Sequence, residues 1–125
     1  MRLTSTGALD ASFSALPVTG ADPTVYALAL QADGKIWAGG DFTYTVGTNT
    51  CASLMRLNSG GALDTSFATR YQAPWEIAQV RRFHSNLDGL LWAGGTFSQI
   101  DGRSYFGLAR YANITDYAWL PLMIK

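Results

Sequence analysis

Apolar residues come in short bursts along the chain, separated by glycine, asparagine and aspartate at intervals too close for helices. Val25-Tyr26-Ala27-Leu28-Ala29-Leu30 is an apolar run of strand length, Asp33-Gly34 is a hairpin signal, and Lys35-Ile36-Trp37-Ala38 reads as the returning strand. Gly39-Gly40 follows, and two residues without a Cβ predict a bulge or a close approach by a neighbouring backbone. A loop through Gly47 leads to a strand from Leu54 to Asn58. A Gly60-Gly61 turn then leads to a strand from Leu63 to Phe67.

The whole pattern occurs twice. Arg2-Leu3, Gly7-Ala8-Leu9-Asp10 and Ser12-Phe13 return as Arg56-Leu57, Gly61-Ala62-Leu63-Asp64 and Ser66-Phe67, displaced by 54 positions. Asp33-Gly34, Trp37-Ala38-Gly39-Gly40 and Phe42 return as Asp88-Gly89, Trp92-Ala93-Gly94-Gly95 and Phe97, displaced by 55. Gly47 recurs as Gly102, and Leu54-Met55-Arg56-Leu57 as Leu108-Ala109-Arg110-Tyr111. Four short strands per unit, with no helical periodicity, predict an all-β fold of two propeller-type blades; a β-solenoid or sandwich is the alternative.

These residues carry a resemblance. The elements Arg-Leu, Gly-Ala-Leu-Asp-x-Ser-Phe, Val-Tyr-Ala-Leu-Ala-Leu-Gln-x-Asp-Gly-Lys-Ile and Gly-Gly-Asp-Phe-Thr resemble the delta-60 repeat, a β-propeller-like family, over residues 2–111. The first unit is close to that pattern. The second departs from it between Trp75 and Leu87, where Arg81, Arg82, Phe83 and His84 replace a smooth apolar strand. The resemblance implies tandem arrays of the kind found in bacterial surface and phage-associated proteins. It implies a fold and no catalytic residues.

Two blades cannot close a ring that takes roughly four to eight. The chain divides into a two-repeat segment, 1–111 (units of about 2–55 and 56–111, circularly permuted), and a divergent apolar tail, 112–125. It opens on the last two strands of a unit and its second unit stops after the third, so the N-terminal strand is spare where the C-terminal unit lacks one. The expected assembly is a homo-oligomer joined head to tail, with a homotrimer completing a six-bladed ring. Leu9 and Phe13 of the spare strand, and Trp119, Leu120, Leu122, Met123 and Ile124 of the tail, are the expected subunit or partner contacts.

Composition narrows the chemistry. Nine basic and nine acidic residues leave no net charge to attract nucleic acid or an anionic membrane, and no run is apolar enough for a membrane span. The first residues have no signal-peptide core, so synthesis in a cytoplasm is expected, with incorporation into a virion as the favoured destination. Cys51 is the only cysteine and His84 the only histidine, which excludes an intrachain disulfide and a cysteine zinc cluster. Cys51 reads as a small buried thiol and His84 as a surface imidazole. No phosphate loop, metal-ligand cluster, Ser/His/Asp constellation or well-placed carboxylate pair is present, so no cofactor and no enzymatic activity are predicted.

Residues that repeat, such as Trp37 and Trp92, Arg56 and Arg110, and Asp10 and Asp64, read as structural, the charged ones as repeated ion pairs or turn hydrogen bonds. Ligand contacts are sought where the units differ: Tyr44, Tyr71, Trp75, Arg81, Arg82, His84 and Tyr105. The expected function is a non-enzymatic structural or adhesion module of a virus particle, such as a phage tail, fibre or capsid component. A soluble lectin-like propeller that binds carbohydrate is the alternative.

Overall fold

The computed structural model describes residues 1–14, 18–67, 71–72, 78–85, 90–100, 102–111 and 122–123. The chain is all-β, built of antiparallel sheets as a propeller-like fold requires, and none of the sheets closes on itself among the described residues. In the first unit, β1 (Thr19–Leu30), β2 (Ile36–Val46) and β3 (Asn49–Leu57) form a sheet in chain order. β4 (Tyr71–Gln72) leads into the second unit, where β5 (Gln79–Ser85) pairs with β6 (Leu91–Thr96). β7 (Gln99–Ile100) and β8 (Arg103–Ser104) join β4 in a small sheet of their own. β9 (Leu108–Tyr111) returns to pair with β6, and β10 (Leu122–Met123) pairs with β9.

The turns explain where strands stop. Between β1 and β2 the chain makes a five-residue loop rather than the two-residue turn that Asp33-Gly34 predicts. Asp33 Oδ1 accepts the Lys35 N–H at 3.0 Å, Gln31 N–H donates to Lys35 O at 2.8 Å, and Gly34 takes φ +88°. The Gly47 loop is shorter than expected. β2 runs on to Val46 and β3 starts at Asn49, with Gly47 at φ +61° in the turn between them. Its counterpart Gly102, at φ +79°, lies in the connection between β7 and β8.

Gly39-Gly40 behaves as the missing side chains require. The β1–β2 register slips between Val25 and Ala27, opposite these glycines. A Cβ on Gly40 would run into the Thr24 carbonyl, and one on Gly95 into the Gln79 carbonyl, so both units use the glycine to admit a bulged neighbour.

Two apolar clusters result. Strand pairing puts Trp37, Gly39, Leu54 and Arg56 on one face of the first sheet and Ile36, Ala38, Met55 and Leu57 on the other. Trp37 and Leu54 pack with Val80, Leu91, Ala93, Ala109 and Tyr111 of the second unit, together with Phe67. Ala38, Met55 and Leu57 pack with Phe42, Tyr44 and Cys51, and Phe13, Val25 and Leu63 lie against them. Cys51 is buried, as its apolar neighbours predict.

The tail differs from the sequence expectation in one respect. Leu122 and Met123 lie opposite Arg110 and Ala109, so two residues of the chain's own tail pair with the β9 edge that the repeat pattern leaves vacant.

Candidate interaction surface

The same hairpin is built twice, and its arginine–aspartate–serine bonds recur, except that Arg2 Nη1 also donates to the Ser59 carbonyl at 2.7 Å while Arg56 Nη1 has no partner among the described residues. Leu57 bridges Leu63, the Asp64 N–H donates to Arg56 O at 2.9 Å, and Gly61 at φ +91° turns the chain between them. Arg56 Nε donates to Asp64 Oδ2 at 2.8 Å, and the Ser66 N–H donates to Asp64 Oδ1 at 3.1 Å. At the N-terminus Leu3 bridges Leu9, Arg2 Nε donates to Asp10 Oδ2 at 2.8 Å, and the Ser12 N–H donates to Asp10 Oδ1 at 3.0 Å. The repeated arginines and aspartates are therefore hairpin clasps, in which a carboxylate takes charge-assisted bonds from its own turn and from the opposite strand.

What differs is the surroundings. The Arg56 side chain is 3% exposed and that of Arg2 40%. Leu57 is 1% exposed and its counterpart Leu3 55%. Burial pushes the Asp64 carboxyl up, but the bonds from Ser66, Lys35 and Arg56 outweigh it and hold it at about 2. The Lys35 ammonium adds a second cation, 3.0 Å from Asp64 Oδ2. Asp10 is also held below the ordinary carboxylate range, by the Ser12 hydroxyl and then Arg2.

The junction between the two units is specific. A Cβ on Gly39 would lie 2.5 Å from Val80 Cγ1 and 2.6 Å from Phe83 Cζ, so the strand of the second unit fits directly over this glycine. Phe67 meets Trp37 edge-on at 4.8 Å and Tyr111 at 6.1 Å, while the Arg56 guanidinium lies 5.3 Å from the Trp37 ring. Gln79 Nε2 donates to Asp41 Oδ2 at 2.9 Å. Ser53, buried at φ +69°, donates its hydroxyl to the Ala78 carbonyl. Over the edge of the junction the Arg81 guanidinium sits 5.7 Å from the Tyr26 ring.

Each half of this junction has a counterpart that faces outward. Trp92, Gly94, Leu108 and Arg110 share one face of the second sheet, in the register of Trp37, Gly39, Leu54 and Arg56. All four are only partly buried, whereas the first-unit residues are all buried. Among the described residues, a Cβ on Gly94 would meet nothing nearer than the Gly107 carbonyl at 3.8 Å. At the other end, Leu28 has the place in β1 that Phe83 has in β5, and it is 66% exposed, with Tyr26 and Leu30 also exposed. Phe13 stands where Phe67 stands, against Gly61, and Arg2 lies 4.8 Å over its ring.

The residues sought as ligand contacts divide accordingly. Arg81, Arg82 and His84 are exposed on β5. Tyr44 and Tyr105 are both buried, and the Tyr44 hydroxyl donates to the Leu54 carbonyl at 2.7 Å. Alternation of Phe42, Tyr44 and Val46 along β2 is the signal that marks Tyr44 as a strand residue. Tyr71 lies in β4, whose side chains are outside the described set, and Trp75 lies outside the described residues altogether. Of the expected partner contacts, Leu9 is 65% exposed and Phe13 partly buried. Leu122 and Met123 are described only as backbone, and Trp119, Leu120 and Ile124 lie outside the described residues. Ser53 escaped notice, although its alignment with Gly107, at φ +77°, is a signal for a left-handed position. Among the described residues no group of histidine, cysteine and acidic side chains is placed to hold a metal ion.

A family model described as "Domain of unknown function (DUF5122) beta-propeller" matches residues 31–67, a part of the chain that runs from the β1–β2 loop to Phe67. No curated protein and no solved structure matches the chain. Residues 31–67 thus have β-propeller character by sequence, within a chain that folds as antiparallel β-sheet.

Proposed function

We propose that this protein is a non-enzymatic structural module whose activity is assembly. Each chain supplies two propeller-type blades, and copies join head to tail into a closed ring. One observation carries this reading. The face holding Trp37, Gly39, Leu54 and Arg56 is buried against the second unit, whereas the equivalent face holding Trp92, Gly94, Leu108 and Arg110 is only partly buried among the described residues. The surface that matches it, with Leu28 and Phe13 in the places of Phe83 and Phe67, is presented at the opposite end of the same chain. Such a contact is heterologous, and a rotation that closes gives a ring.

Three copies give a six-bladed ring, inside the range of roughly four to eight blades that close. A module of this kind suits a larger symmetric particle, and a virion component such as part of a phage tail, fibre or capsid is the setting we favour. Multi-angle light scattering of the purified protein tests the reading. A molar mass near three times the 13.5 kDa of one chain supports the trimer. A 13.5 kDa species at every concentration refutes assembly.

A further inference from the structure

The β9 edge holds an arginine whose clasp is incomplete. Arg110 stacks over Trp92 at 5.4 Å, as Arg56 stacks over Trp37 at 5.3 Å. Arg56 Nε donates to Asp64, which stands directly opposite it on the next strand. Arg110 Nε is buried and has no hydrogen-bond partner among the described residues. The residue opposite Arg110 is Leu122, which has no carboxylate to offer. β10 therefore pairs with the backbone of β9 and leaves Arg110 Nε without an acceptor among the described residues, a costly arrangement for a buried donor atom.

The matching carboxylate exists at the other end of the chain. Asp10-Ala11-Ser12-Phe13 repeats the Asp64-Thr65-Ser66-Phe67 segment that binds Arg56 Nε, and its present partner Arg2 is a half-exposed side chain. Asp64 serves two cations, Arg56 and Lys35, whereas the one cation bonded to Asp10 is Arg2.

We infer that the β10 pairing and the Arg2–Asp10 clasp are placeholders, and that the Leu9–Phe13 strand of a second copy displaces Leu122 from the β9 edge and sets Asp10 opposite Arg110. In that arrangement Arg110 Nε donates to the incoming Asp10, and Phe13 meets Trp92 as Phe67 meets Trp37. This rests on the self-assembly reading above and names the residues that make the contact.

The test uses the full chain in four forms: wild type, Asp10→Arg, Arg110→Asp and the double variant, with molar mass followed over a dilution series and folding checked by circular dichroism. Each single reversal sets like charges opposite one another and is expected to weaken assembly at least tenfold. The double variant restores the pair between copies and is expected to return within about threefold of wild type. A wild type that assembles while the singles match it, or while the double is no better than the singles, overturns the inference and leaves the ring reading standing. A wild type that never assembles overturns both.

Leu122→Asp guards against variants that do not fold. It places a carboxylate opposite Arg110 within the chain, so the monomer should gain thermal stability and the assembled fraction should fall. An unchanged mass distribution overturns the inference.

Discussion

The guanidinium of Arg56 and the carboxylate of Asp64 lie across one hairpin, 2.8 Å apart and almost wholly buried, and Arg2 and Asp10 repeat the contact at the same distance in the open. One chain thus holds the same ion pair in two dielectric settings. Asp64→Asn removes the charge from a buried pair and strands Arg56, which should cost about 3 kcal/mol. Asp10→Asn should cost the isolated chain much less than Asp64→Asn, since exposed pairs contribute little. Denaturant unfolding of the two variants at one protein concentration compares them; equal losses would show that burial does not govern the clasp.

The depressed carboxyl of Asp64 fixes a direction for pH dependence. In the unfolded chain this group has its ordinary value of 3.8, and in the folded chain about 2. The unfolded state therefore binds the proton first as pH falls. The contribution of Asp64 is complete above 3.8 and is lost as pH drops from there through about 2. Melting temperature followed from pH 6 to pH 2 should fall through that window, and Asp64→Asn should flatten the acid limb.

Ser53 is held left-handed and its hydroxyl ties the first sheet to the Ala78 carbonyl. Ser53→Ala keeps the backbone strain and removes the bond, with an expected loss of about 2 kcal/mol. Ser53→Gly removes the bond and relieves the strain, so it should lose about 1 kcal/mol less. At the aligned position Gly107, φ is +77° and an added Cβ would lie 3.0 Å from the Gly95 carbonyl, so Gly107→Ala should cost about 2 kcal/mol. Thermal melts rank the three, and Ser53→Gly falling below Ser53→Ala would contradict the account of strain.

Gly39 and Gly94 separate folding from assembly. Gly39→Ala drives a Cβ into Val80 and Phe83 and should destabilise the chain by about 3 kcal/mol. Gly94→Ala meets no such obstacle among the described residues and should leave the melting temperature nearly unchanged. If a second copy packs there as the second unit packs on Gly39, Gly94→Ala abolishes assembly of a folded protein. Light scattering beside a thermal melt reads both quantities.

Much of the architecture was legible because the repeat supplies an internal comparison. Arg2, Asp10 and Ser12 recur as Arg56, Asp64 and Ser66, and the repetition marks them as a clasp before any coordinate is known. Gly39 and Gly40 likewise announce a close approach. The ligand set was harder to read. Tyr44, between two threonines, looks like a loop aromatic unless the alternation from Phe42 to Val46 is followed through the Gly47 turn. The β9–β10 pairing had no signal at all, because residues 112–125 share no pattern with the first unit and a two-residue strand is decided by backbone bonds that every sequence offers. Arg81 faces Tyr26 only because the two inner strands of successive units lie side by side, a tertiary relation that neither strand states alone.

In the proposed ring the Trp92–Gly94 face and the Tyr26–Leu28 strand cover one another in neighbouring copies, and amide hydrogen exchange at low and high protein concentration reads that contact. Amides of residues 24–30 and 92–96 should slow together as concentration rises, while those of 37–40, already covered within the chain, stay constant. Exchange in both segments that is fast and independent of concentration would contradict it.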